Sequence, residues 1–349
     1  MTSKLSPALW IICAGLIRCA AQAADLPQVT WEGRTMGSGY VVKVVGSNLV
    51  PEQRSVLQAA VERRLREVNR QMSHYDPDSA LSRFNRGPAG IPFAVPPGFA
   101  TVIRFSLELN RRSHGAFDPT MSPLINLWGF GEKSDRRAVP SAEEWQATMA
   151  QTGCGHLFLT ARDELIKDIP ELSINLSGVA KGYGVDEMVR VLREHGFTNV
   201  YAAIAGEVRT LGHNARGAPW QVGISAPLAH WRESDPMAAV VSLSDLALST
   251  SGDYQKFFTD AQGRRLSHLL DPRTGWPVQH SLGSVSVVAP DGMTADGLAT
   301  TLFVLGVDEG LRFIDGWTNA AALFIVREAD QTFRTVLSSR FTALTGYDP

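Results

Sequence analysis

Cysteine is nearly absent from this sequence: 349 residues hold three. Cys13 and Cys19 fall within the first 23 residues, which read as a secretory leader, so Cys154 is left alone. A single thiol closes no internal disulfide and builds no cysteine zinc site. Its setting, Thr152-Gly153-Cys154-Gly155-His156, reads as a turn rather than a nucleophile motif. Excess charge of one sign is also missing. A formal net charge of −2 supplies no basic field for nucleic acid or anionic lipid, so no nucleic-acid partner is expected. The familiar catalytic signatures are absent: there is no G-x-S-x-G, no H-E-x-x-H and no Walker loop. Gly37-Ser38-Gly39 is too short for a dinucleotide fingerprint, and the eight histidines are too scattered for a histidine zinc site. No repeat or low-complexity tract occurs.

The leader has a basic start at Lys4, a short apolar core from Leu9 to Ile17, and an A-x-A site at Ala21-Gln22-Ala23. Residues 1–23 are therefore expected to be a cleaved signal peptide and the mature chain to be periplasmic. An uncleaved anchor is the alternative. The apolar core is too short for an ordinary membrane-spanning helix, and no later segment is apolar enough. Arg18 argues against lipid attachment at Cys19.

The rest, 24–349, reads as one α+β domain. Strands and helices mix without regular βαβ alternation. Gly39 to Val45 is strand-like. Pro51 opens a helix whose apolar positions Leu57, Val61, Leu65, Val68 and Met72 follow a 3.6 period. Helices are expected over 99–112, from a Ser141 cap with Glu144 completing a capping box, over 183–195, over 294–305 and over 308–317. Strands are expected at 199–204, 207–211, 219–224, 240–248, 266–270, 284–289, 320–326 and 333–338, with 284–289 half-buried. Residues 138–168 read as a connection between two lobes.

Chemistry concentrates in glycine-punctuated blocks: Thr35-Met36-Gly37-Ser38; Met72-Ser73-His74-Tyr75-Asp76-Pro77; Gly115-Ala116-Phe117-Asp118-Pro119-Thr120; Asn175-Leu176-Ser177-Gly178-Val179-Ala180-Lys181-Gly182; Ser249-Thr250-Ser251-Gly252-Asp253-Tyr254 with His268-Leu269-Leu270-Asp271-Pro272 behind it; and Ala295-Asp296-Gly297-Leu298-Ala299-Thr300. Asp296 and Thr300, four apart near a helix start, share one face and offer two hard oxygens of the kind Mg²⁺ takes. Spacing alone fits a dipole-complementing Asp and a core-facing Thr as well. The Asn175 block precedes a helix, so its backbone amides and Lys181 suit a diphosphate; a strand-to-helix turn with a solvated lysine fits the same residues. Met36 and Tyr75 read as core packing when taken by themselves. His268, at a strand end, is the best-placed general base and Asp253 the second; His268 could equally brace the Asp271 turn.

Taken in order, these blocks resemble the ApbE family, the FAD:protein FMN transferases, over roughly residues 30–340. The resemblance implies a two-lobed α+β fold related to the T-fold, with flavin and metal in the cleft between lobes. It implies Mg²⁺-dependent transfer of FMN from FAD to a Thr or Ser hydroxyl of a client redox protein, with AMP released. It places Mg²⁺ on Asp296, Thr300 and the Gly178 carbonyl, and FAD against Met36, Tyr75, Ala116, Phe117, Asp118, Asn175, Lys181 and Leu270, with His268 and Asp296 catalytic. Family members often carry Asp where Asn175 stands. Clients of the family include membrane respiratory complexes, so peripheral association with the inner membrane is also expected. An FAD pyrophosphatase and a non-catalytic FAD-binding module stay open as alternatives.

Overall fold

The computed structural model describes residues 25–131, 138–228, 235, 237–254, 256–330 and 332–349. The expected signal peptide lies outside these residues. The frame is one eight-stranded sheet whose strands follow chain order and pair antiparallel throughout. They are β1 (Gln28–Thr35), β2 (Ser38–Val45), β3 (Val200–Ile204), β4 (Glu207–Leu211), β5 (Ala247–Gly252), β6 (Leu282–Ala289), β7 (Ala321–Arg327) and β8 (Phe333–Leu337). Most of the functional blocks sit in the connections between them, while Ser249–Gly252 lies on β5 itself. A helical insertion with α1 (Pro51–Met72), α2 (Pro97–Arg112) and α3 (Ala180–Glu194) separates β2 from β3, and α4 (Gly292–Asp315) separates β6 from β7.

Helices cover one face of the sheet. On α1 the residues at helical spacing, Leu57, Val61, Leu65, Val68 and Met72, are all buried, as the 3.6 period requires. The Ser141 capping box is formed: Ser141 Oγ accepts the Glu144 amide and Glu144 accepts the Ser141 amide at 2.8 Å. A hairpin of Trp220–Ser225 with Met237–Leu243 packs on the other face, where Val222, Val241, Leu248, Val288, Leu323 and Phe341 form one apolar cluster.

The structure refines several of the expected elements. The strand expected over 240–248 is two strands, because the chain turns at Asp245, which adopts φ +58°. Residues 284–289 are not half-buried: every residue of β6 is buried, since helix α4 covers one face and the hairpin side covers the other. The helices expected at 294–305 and 308–317 are both present within the α4 span, separated where Gly306 leaves helical geometry at φ 73°. Residues 138–168, read as a connection, hold a helix (Ala142–Met149) and two strands: Glu164–Lys167 pairs with Phe93–Ala94 on one edge and with Leu157–Leu159 on the other. Among the described residues no helix is long and apolar enough to cross a membrane.

Candidate active site

The first turns of α3 and α4 interlock, and their contact fixes the centre of the site. Gly182 and Gly292 abut so closely that a Cβ on either would collide with the carbonyl oxygen of the other. Two carboxylates reach across this junction in opposite directions. Asp186 of α3 accepts the amides of Gly292 and Met293 at 2.7 and 2.9 Å, satisfying donors that a helix start leaves open. Asp296 of α4 accepts the Gly182 amide at 2.9 Å. The sequence gives Asp291 the remaining cap, accepting from the Thr294 amide at 2.8 Å.

Asp296 is 3% exposed. Burial raises its carboxyl pKa most, the Lys181 ammonium draws it back, and Glu207 adds to the rise; the balance is upward. Ser249 Oγ lies 3.5 Å from its Oδ1. One helical turn on, Thr300 Oγ1 stands 3.5 Å from the Gly178 carbonyl oxygen and 3.5 Å from Ser251 Oγ. These separations exceed those of well-formed hydroxyl hydrogen bonds, so the oxygens converge without satisfying one another. Space at 178 is tight: a Cβ there would stand 3.0 Å from Thr300 Oγ1 and 3.3 Å from the Phe117 ring.

Asp296, Thr300 and Gly178 thus stand together, as their spacing and the resemblance led us to expect. Among the described residues no group of three His, Cys, Asp or Glu side chains could hold a metal. One carboxylate with a hydroxyl and a backbone carbonyl is instead a hard, all-oxygen set. It fits Mg²⁺, which binds through one or two carboxylates and keeps positions for water and phosphate.

This cluster floors an open cleft of about 240 Å³ lined also by Ala116, Phe117, Asp118, Asn175, Lys181, His268 and Leu270. A second cavity of about 320 Å³ carries Tyr75, Phe130 and Lys256. Asn175, Ser177, Ile125 and His268 line both, so they stand on the divide. Asn175 Oδ1 accepts the Ser177 amide at 2.8 Å and shapes the loop ahead of α3. Asp118 is held from behind: its Oδ1 accepts the Thr120 amide and hydroxyl at 2.7 and 2.6 Å, and its Oδ2 the Cys154 amide at 3.2 Å. The Cys154 thiol lies 3.4 Å from Asp118, and burial together with that carboxylate raises its pKa. Cys154 is therefore a structural turn residue, as read from the sequence, and no thiolate nucleophile.

His268 packs edge-on to Phe130, with ring centroids 6.3 Å apart. Burial, with Lys256 nearby, pushes its pKa down to about 4. The ring is therefore neutral at pH 7. Its Nδ1 lies 3.2 Å from the Lys256 carbonyl, an acceptor only. Nδ1 then carries the proton and Nε2 the lone pair.

Other expected residues are placed differently. Asp253, the second candidate base, is buried and clamped by both Arg327 guanidinium nitrogens at 2.5 and 2.9 Å, with Arg265 at 3.7 Å. A carboxylate so engaged is an ion-pair partner rather than a base. Met36, at φ +48° in the β1–β2 turn, packs against both helix-side apolar clusters and Gly184, and lines neither cavity. Tyr75 is 61% exposed, its ring 4.0 Å from that of His74. Lys181 lines the cleft but is bonded to Glu207. Glu207 and Ser251 are site residues that the sequence reading did not assign. The sequence signal for Glu207 is an acid opening a strand directly after the Ala205-Gly206 turn.

The chain matches the ApbE family over residues 36–324. It belongs to that family. The FAD:protein FMN transferase of Vibrio cholerae is 38% identical over 333 residues, 95% of this chain and 97% of that one. That of Haemophilus influenzae is 35% identical, covering 96% of each chain. Among solved structures, the flavin transferase ApbE from Vibrio cholerae superposes with TM-score 0.82 at 39% identity, covering 91% of this chain and 99% of that one. The apo flavinyl transferase ApbE of Pseudomonas stutzeri gives 0.83 at 37% identity, with 94% and 99% covered. The α+β architecture is thus that of ApbE proteins, and the cleft described above belongs to an ApbE fold.

Proposed function

We propose that this ApbE protein transfers FMN from FAD to a Thr or Ser hydroxyl of a client redox protein, with Mg²⁺ as its metal. The supporting observation is the convergence of the Asp296, Thr300 and Gly178 oxygens on the floor of a cleft whose divide carries a neutral histidine. Asp296, Thr300 and the Gly178 carbonyl would hold the cation, which when bound neutralises charge on the FAD diphosphate and makes AMP a better leaving group.

The chain's own groups then have these tasks. Lys181 adds a fixed positive charge on the cleft wall. Burial alone would lower its pKa, but Glu207 and Asp296 outweigh burial and hold the ammonium charged. Phe117 and Leu270, both buried in the cleft wall, present apolar surface to the flavin half. Tyr75 and Asn175 offer a phenol and an amide on the second cavity. The acceptor hydroxyl attacks the FMN phosphorus, its proton passes to Nε2 of His268, and the P–O bond to AMP breaks. Products are a protein–FMN phosphodiester and AMP. The work is positioning and charge neutralisation, the main contributions in phosphoryl transfer.

Export is part of the same reading. The leader pattern of residues 1–23 supports a periplasmic protein, where covalent attachment keeps flavin from diffusing off its client. Cell fractionation with N-terminal sequencing tests this; a periplasmic chain starting at Ala24 supports it, an intact Met1 on a membrane-bound chain means the uncleaved anchor, and a chain confined to the cytoplasm sinks it.

The transfer reading is tested by AMP release from FAD with an acceptor peptide and its Thr→Ala counterpart. AMP that requires the hydroxyl and matches flavinyl-peptide mole for mole is expected. AMP and free FMN at equal rates with both peptides would mean a pyrophosphatase. Intact FAD under all conditions would mean a binding module.

A further inference from the structure

The reaction above leaves Glu207 without a task, and its setting is unusual. It opens β4 at 3% exposure. One carboxylate oxygen takes the Lys181 ammonium; the other, Oε2, is buried without a hydrogen-bond partner. A buried carboxylate oxygen left unmatched costs stability. A glutamine would fill the same space without the charge.

What the charge does follows from its neighbours. Lys181 stands in the first turn of α3 beside Gly182, whose amide holds Asp296. The ammonium feels both carboxylates, Glu207 and Asp296, but its bond goes to Glu207. An ammonium bonded to Asp296 would occupy a carboxylate oxygen and repel a second cation. We propose that Glu207 is a positioning residue: it draws Lys181 away from Asp296 and so keeps that carboxylate open to a divalent cation. Glu207 is bonded to the Lys181 ammonium and acts through it. The inference rests on the reading of Asp296 as a metal ligand.

The test is calorimetric titration of Mg²⁺ into the mature chain, with and without saturating AMP. Wild type, Glu207→Gln, Lys181→Met and the double variant are compared, and circular dichroism checks each fold. Glu207→Gln should weaken Mg²⁺ binding by about 10- to 100-fold, as removal of groups behind a metal ligand does. Adding Lys181→Met should recover most of that loss, because the competing cation is gone. Lys181→Met alone should bind Mg²⁺ more tightly than wild type, which keeps the inference testable if Glu207→Gln fails to fold. Unchanged affinity in Glu207→Gln, no recovery in the double variant, or no gain in Lys181→Met would each overturn it. Failure of wild type itself to bind Mg²⁺ would instead overturn the assignment of Asp296.

Discussion

The backbone amide of Gly182 donates to Oδ2 of Asp296 across 2.9 Å, tying the start of α3 to the helix that carries Thr300. The loop that supplies the Gly178 carbonyl and the helix that supplies Asp296 and Thr300 are therefore one mechanical unit. Its closeness depends on the facing glycines Gly182 and Gly292.

Gly182→Ala is expected to force these helices apart, since its Cβ would collide with the Gly292 carbonyl and approach the Asp296 side chain. Overpacking of this kind costs about 1–3 kcal/mol. Chemical denaturation should show that loss together with weaker Mg²⁺ binding. A variant of unchanged stability and Mg²⁺ affinity would mean the junction does not set the site.

Asp253→Asn should destabilise the fold by about 3–5 kcal/mol, because Arg327 and Arg265 would lose their buried counter-charge. If Asp253 served as the base, the variant would fold normally and transfer no flavin. Denaturant unfolding beside a single-turnover assay separates these outcomes.

The pH profile should carry the signature of His268. Its folded pKa is depressed from 6.5 to about 4, so the base is free above about pH 4. The acid limb of kcat/KM for FAD, which reports the free enzyme, should lie near 4. An acid limb near 6.5 would argue against this histidine. Stability carries the same sign: the folded state binds fewer protons than the unfolded between these values, so stability falls as pH drops from about 6.5 towards 4. His268→Gln should flatten that part of the curve.

Local pattern made much of this molecule legible. The buried stripe of α1 and the Ser141 box lie within single segments, where periodicity and capping chemistry act directly. Asp296 and Thr300 were legible for the same reason, being one helical turn apart. What the sequence hid depends on neighbours distant along the chain. β6 reads as half-buried until the sheet is known to be covered on both faces. Asp253 resembles a free acid until Arg327, 74 residues away, closes on it. Glu207 gains meaning only from Lys181, 26 residues earlier, and Met36 lies under α3 rather than in either cavity.

The most direct single measurement is the intact mass of a client domain after incubation with the mature chain, FAD and Mg²⁺. The predicted result is a gain of one FMN that survives denaturation, disappears with EDTA, and is lost in Asp296→Asn. An unmodified client, or flavin addition that persists in EDTA and in Asp296→Asn, would contradict Mg²⁺-dependent transfer at this site.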